Sequence, residues 1–93
     1  MHILLIEDDQ SVAAFVEKGF LDKGQVITHA ATGTDGLGLA KDEAYDAIII
    51  DRMLPALDGL SIVKALRDEG DTTPILILSA LGEVGDRIDG LDR

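Results

Sequence analysis

Apolar residues gather in four short runs: HILLI (residues 2–6), QVITHA (25–30), AIII (47–50) and PILIL (74–78). Three of these are continuous rather than alternating, the pattern of strands covered on both faces of a parallel sheet. QVITHA is more polar and reads as an edge strand. Between the runs the period lengthens. Val12, Phe15, Val16 and Phe20 stand at i, i+3, i+4 and i+8, which predicts an amphipathic helix over residues ~9–23, ending near Gly24. Thr32 and Asp35 resemble a capping box for a helix over residues ~33–43, with Leu37, Ala40 and Ala44 on its apolar side. Asp58 is placed to cap a third helix whose inner face carries Ile62, Val63 and Leu66, and Gly70 stops it. Val84, Ile88 and Leu91 open a fourth at i, i+4, i+7. The order βαβαβαβα predicts an α/β fold with a doubly wound parallel sheet. No internal repeat, low-complexity tract or linker interrupts it.

Length and composition narrow the field. A chain of 93 residues is one domain with a modest core. No apolar run approaches the ~20 residues of a membrane span. The opening MHILLIEDD has no basic region before its apolar stretch, so it is not read as a signal peptide. The absence of cysteine excludes disulfides, thiolate chemistry and zinc–thiolate sites. A reducing, cytoplasmic setting fits that. The net charge of −10 repels nucleic-acid phosphates, so these residues are not expected to bind DNA themselves. Clustered acids suit hard cations such as Mg²⁺.

The acids are indeed clustered. In open parallel sheets, ligands bind beyond the carboxyl ends of the strands. Glu7, Asp8 and Asp9 follow the first predicted strand, Asp51 the third, and Ser79 the fourth. With strands 1, 3 and 4 as neighbours, carboxylates and a hydroxyl converge on one crevice. Carboxylates that close repel unless a proton or a cation joins them. Mg²⁺ accepts a few such oxygens, keeps waters and bridges to phosphate. A carboxylate beside it can attack phosphorus and form an acyl phosphate. Plainer readings exist for each residue alone. Asp8 or Asp9 can cap the first helix, with Asp9 the expected cap, Asp51 can be a loop acid, and a single serine carries little information. The joint placement at strand ends favours the chemical reading.

The segments LLIEDD, IIIDRMLPALDG and PILILSA together resemble the three signature segments of the response-regulator receiver domain of two-component signalling. The MLPxxDG pattern with its short link to PILILSA is most similar to the OmpR/PhoB-type subclass, in which a winged-helix DNA-binding domain follows the receiver. The resemblance implies a flavodoxin-like sheet of order 2-1-3-4-5. It implies that Asp51 accepts a phosphoryl group from the phosphohistidine of a sensor histidine kinase. Glu7 and Asp8 would hold Mg²⁺ with Asp51, and Met53 would add its backbone carbonyl. Ser79 would be the switch hydroxyl, and Pro55 and Gly59 would shape the loop after the acceptor. His2 and His29 match no family role and are read as structural.

The sequence departs from the family at its end. The family's phosphate-pairing lysine lies on a fifth strand, whereas the last lysine here is Lys64. Residues 1–93 are therefore expected to form a receiver domain incomplete at its C-terminus, without strand 5 and helix 5. The exposed PILIL edge would then favour a homodimer or strand pairing with another chain. DNA contact would come only through a further domain. Two other classes share features of the site. A haloacid-dehalogenase-like phosphohydrolase also uses a strand-end Asp with Mg²⁺, but needs an acid two residues on, where Met53 stands. A flavodoxin-like cofactor module needs a Ser/Thr/Gly-rich phosphate loop after strand 1, where this chain has three acids.

Overall fold

In the computed structural model, residues 1–55 and 57–78 are described. Seven elements follow in order. They are β1 (His2–Ile6), α1 (Gln10–Leu21), β2 (Val26–Ala30), α2 (Gly33–Asp42), β3 (Ala47–Asp51), α3 (Gly59–Asp68) and β4 (Ile75–Leu78). The strands form one sheet of order β2-β1-β3-β4, and each neighbouring pair is parallel. This is the doubly wound arrangement expected from the pattern, with β2 at one edge. The fourth helix expected near residues 84–91 lies outside the described residues. Among the described residues, no helix is long and apolar enough to cross a membrane.

Alternation along the central strands divides the core in two. Leu4, Ile6, Ile48 and Ile50 face α2 and α3, packing with Ala40, Ile62 and Leu66. Ile3, Leu5 and Ile49 face α1, packing with Ala13, Val16 and Phe20. Residues 3–6 are each at most 1% exposed, which accounts for the unbroken apolar run of β1: both its faces are covered. β4 differs from that expectation. Ile75 and Ile77 are buried while Leu76 and Leu78 are half-buried, so among the described residues only one face of this strand is closed.

The caps formed as their residue types dictate. Asp9 accepts from the N–H groups of Ser11 and Val12 at 2.8 and 3.1 Å, and Asp58 accepts from Ser61 N–H at 3.0 Å. Thr32 accepts from Asp35 N–H at 3.1 Å; the reciprocal half of the capping box is not made among the described residues. Gly24 and Gly70 take φ values of +78° and +85° beyond α1 and α3, a conformation that side chains disfavour.

Two expectations need correction. Phe15 is not on the inner face of α1; it is 81% exposed. The buried side runs through Ala13, Val16 and Phe20. At about 100° per residue, Phe15 lies some 200° around the helix from Ala13. Ala44 lies beyond the end of α2 at Asp42 and is exposed. Small residues set the α2 contact instead, with Gly33, Gly36 and Ala40 buried.

Gly36 is where α2 meets the sheet. A Cβ there would meet three side-chain carbons of Ile6, which is itself fully buried. Rotating one methyl away cannot relieve all three contacts. Gly38, on the same helix, has open space around it. The two glycines therefore predict opposite outcomes in thermal or urea unfolding. Gly36→Ala is expected to destabilise the fold by about 1–3 kcal/mol through overpacking. Gly38→Ala is expected to stabilise it by about 0.5–1 kcal/mol through helix propensity alone.

Candidate metal centre

The β1–β3 register sets Leu5 beside Ile49 and Ile6 beside Ile50. One residue further on, each strand ends in an acid. Glu7 and Asp51 stand two positions beyond Leu5 and Ile49, so the period-2 pleat directs them to the same side. Asp8 follows at the start of the β1–α1 loop. Carboxylate oxygens of Glu7, Asp8 and Asp51 lie within 4.8 Å of one another. Glu7 is 4% exposed, the one buried polar or charged residue among those described. Asp51 is half-buried and Asp8 is exposed.

Backbone contacts hold Glu7 and Asp51. Glu7 Oε2 accepts from Asp9 N–H at 3.0 Å. Glu7 N–H donates to the Ala30 carbonyl at 3.0 Å, and His29 Nε2 lies 2.7 Å from the Glu7 carbonyl oxygen. Asp51 Oδ1 accepts from Met53 N–H at 2.9 Å, closing a tight turn directly after β3. Leu54, 5% exposed, anchors that turn in the core, whereas the Met53 side chain is 66% exposed. Gly59 closes the turn from behind. Its N–H donates to the Arg52 carbonyl at 3.2 Å, and a Cβ there would stand 2.8 Å from the Asp51 carbonyl oxygen. Only glycine permits α3 to start so close to the end of β3.

Of the three consecutive acids after β1, two enter the cluster and Asp9 caps α1. Ser79 lies outside the described residues. What the sequence left unread is the hold on Glu7 from β2, because residues 7 and 29 are 22 apart and no periodicity links them.

Burial pushes the Glu7 carboxyl up to about 7, opposed by the Asp9 N–H, while a side-chain hydrogen bond to Asp51 and the charges of Asp51 and Asp8 push the same way as burial. A proton on Glu7 therefore offsets its burial first and the neighbouring negative charges second. An all-oxygen donor set with one buried and two accessible carboxylates also fits a hard divalent cation. No Lys or Arg pairs with the three carboxylates among the described residues.

The sequence profile described as response regulator receiver domain matches residues 3–93. The chain is 45% identical over 92 residues to the transcriptional regulatory protein HprR of Escherichia coli (strain K12), covering 99% of this chain and 41% of that protein. It is 40% identical over 92 residues to the probable transcriptional regulatory protein SilR of Salmonella typhimurium, covering 99% and 40%. The chain thus spans about two fifths of the length of the curated relatives it matches. Among solved structures, the receiver domain of the Francisella response regulator 1452 superposes with a TM-score of 0.86 at 40% identity, covering 98% of this chain and 75% of that one.

The electrostatics of Glu7 predict a pH dependence. Its folded pKa lies above the usual carboxylate value, so the folded state binds more protons than the unfolded state between pH 4.5 and about 7. Stability without divalent cations therefore falls as pH rises through that window. Asp71, held low chiefly by Thr73, acts with the opposite sign and only below its ordinary value of 3.8. Chemical denaturation in EDTA at pH 5.5 and 8 checks this. Glu7→Gln should exceed the parent in stability by about 1–3 kcal/mol at pH 8, with a much smaller margin at pH 5.5. An equal margin at both pH values would contradict the Glu7 assignment.

Proposed function

The chain belongs to the response regulator receiver domain family, and from that premise we propose that it is a phosphorylation switch whose acceptor is Asp51. The carrying observation is the convergence of Glu7, Asp8 and Asp51 at the ends of paired strands. In this reading Glu7, Asp8 and Asp51, with the Met53 carbonyl, hold Mg²⁺. When bound, the cation neutralises charge on the phosphoryl oxygens and lines them up for displacement.

The rest is the work of the chain's own residues. Asp51 is the nucleophile. A carboxylate oxygen attacks phosphorus in line, an O–P bond forms, and the N–P bond to the donor histidine breaks. The electron pair returns to the imidazole nitrogen, which takes a proton. Asp51 can do this because it is accessible, and because the Met53 N–H fixes one of its oxygens and leaves the other to react. Glu7 takes the more buried position and contributes charge rather than nucleophilicity. Ser79, next after Leu78 in the sequence, is proposed as the hydroxyl that donates to the phosphoryl group once formed, biasing the segment that follows β4.

The physiological donor is proposed to be a sensor histidine kinase, with the receiver itself working in the cytoplasm. The output is proposed to be transcriptional, through a DNA-binding domain of the OmpR/PhoB-type winged-helix class joined to the receiver. Relatives named as transcriptional regulators, of which this chain spans about two fifths, support that reading. The dehalogenase-like and flavodoxin-like alternatives lose their ground to the family match over residues 3–93.

Intact-mass spectrometry after incubation with acetyl phosphate and Mg²⁺ tests the acceptor. The parent should gain one phosphoryl group, Asp51→Asn should gain none while still folding, and EDTA should abolish the gain in the parent. Equal labelling of Asp51→Asn would overturn the assignment. Ser79→Ala should still be labelled but show a smaller change in amide hydrogen exchange on phosphorylation; an unchanged response would remove Ser79 from the switch.

A further inference from the structure

The β1–β2 ladder ends where the acidic cluster begins. Ile6 pairs with Ala30, and Glu7 N–H to Ala30 O is the last backbone bond between the two strands. The Glu7 carbonyl therefore has no strand to receive it, although the residue is buried. The His29 side chain takes the strand's place. His29 pairs with Leu5 on the α1 side of the sheet. Its ring reaches along the strand to set Nε2 2.7 Å from the Glu7 carbonyl oxygen. Its other nitrogen lies 3.8 Å from Glu17 Oε1 on α1, and the side chain is 18% exposed. The ring is thus gripped between the end of β1 and the first helix.

We infer that His29 is a positioning residue for the acidic site, whose Nε2–H holds the Glu7 carbonyl and so sets the peptide plane that joins Glu7 to Asp8. A trans peptide is planar, so fixing its carbonyl also fixes the Asp8 N–H and the direction of the Glu7–Asp8 Cα vector. Asp8 makes no hydrogen bond of its own among the described residues, which leaves this peptide as its restraint on the N-terminal side. The two carboxylates flanking the peptide are then held in a common frame before any cation arrives. The neutral Nε2–H tautomer and the imidazolium both donate from this nitrogen, so the role does not depend on protonation. Groups that orient metal-binding residues from behind typically alter cation affinity when removed.

This role rests on the reading of Glu7, Asp8 and Asp51 as a cation site, and the test separates the two. Mg²⁺ is titrated into the parent, His29→Phe and His29→Gln by calorimetry, and the Asp8 amide resonance is recorded in the metal-free proteins. His29→Phe keeps a ring and loses the donor, so Mg²⁺ affinity should fall about tenfold and the Asp8 amide should shift. His29→Gln places an amide donor at the reach of Nε2 and should restore affinity to within about twofold of the parent, with the resonance returning toward its original position. If His29→Phe does not fold, His29→Met, which also lacks a donor, is held to the same criterion. Parent-like Mg²⁺ affinity in the donor-free variant overturns the positioning role and leaves the cation site standing. Equal weakening in His29→Phe and His29→Gln overturns it too, since packing rather than the donor would then be responsible. A parent protein that does not bind Mg²⁺ is a different result: the cation-site reading falls and takes this role with it.

Discussion

Parallel pairing of β1 with β3 is the constraint on which the rest of this molecule depends. It aligns Leu5 with Ile49 and Ile6 with Ile50, so both strands run out at the same height, and the next residue on each is an acid. Separately, Glu7 and Asp51 would move apart in water. Here they are held in place by strands whose apolar residues are buried on both sides. Each such side chain contributes about 1.5–3 kcal/mol on burial. A group of aligned Ile and Leu side chains therefore outweighs the repulsion of three carboxylates. A local conflict retained against the stability of the fold is the mark of a functional site.

The surroundings of the cluster divide the labour. Asp9 is spent on capping α1, which leaves Glu7 and Asp8 for the crevice. On the other side, the turn after β3 is closed by Met53 N–H on Asp51, by the buried Leu54 and by Gly59 against the Asp51 backbone. None of these three contributes a charged group. They decide where the Asp51 carboxylate sits and what it can reach, which for the attack proposed above matters more than further charge.

Much of this was legible in the residue pattern. The three caps, the stops at Gly24 and Gly70, the edge position of β2 and the gathering of Glu7, Asp8 and Asp51 all rest on local chemistry or on strand-end placement, and both are written in sequence order. The misreadings have a common origin. Phe15 fitted an i, i+3, i+4 series, but several such series can be drawn on one helix, and packing against β1 and β3 selected the one through Ala13, Val16 and Phe20. Spacing alone puts Ala44 on the apolar side of α2, yet the helix ends two residues earlier, and its close approach to Ile6 is made by Gly36. A glycine carries no hydrophobic signal, so a contact made through its absent side chain is invisible to periodicity.

By itself the sequence determined the order of elements, the parallel class of the sheet and the identity of the acids that end its strands. Those follow from short-range rules: apolar runs, cap residues and the chemistry of carboxylates. Only the tertiary structure decided the environment of each acid. It buried Glu7, left Asp51 accessible and Asp8 exposed, and raised the Glu7 carboxyl by desolvation. It also brought His29 across 22 residues to the Glu7 carbonyl, where the ladder to β2 ends. Burial and cross-strand reach depend on which strands become neighbours and in what register, and that information belongs to the folded chain as a whole.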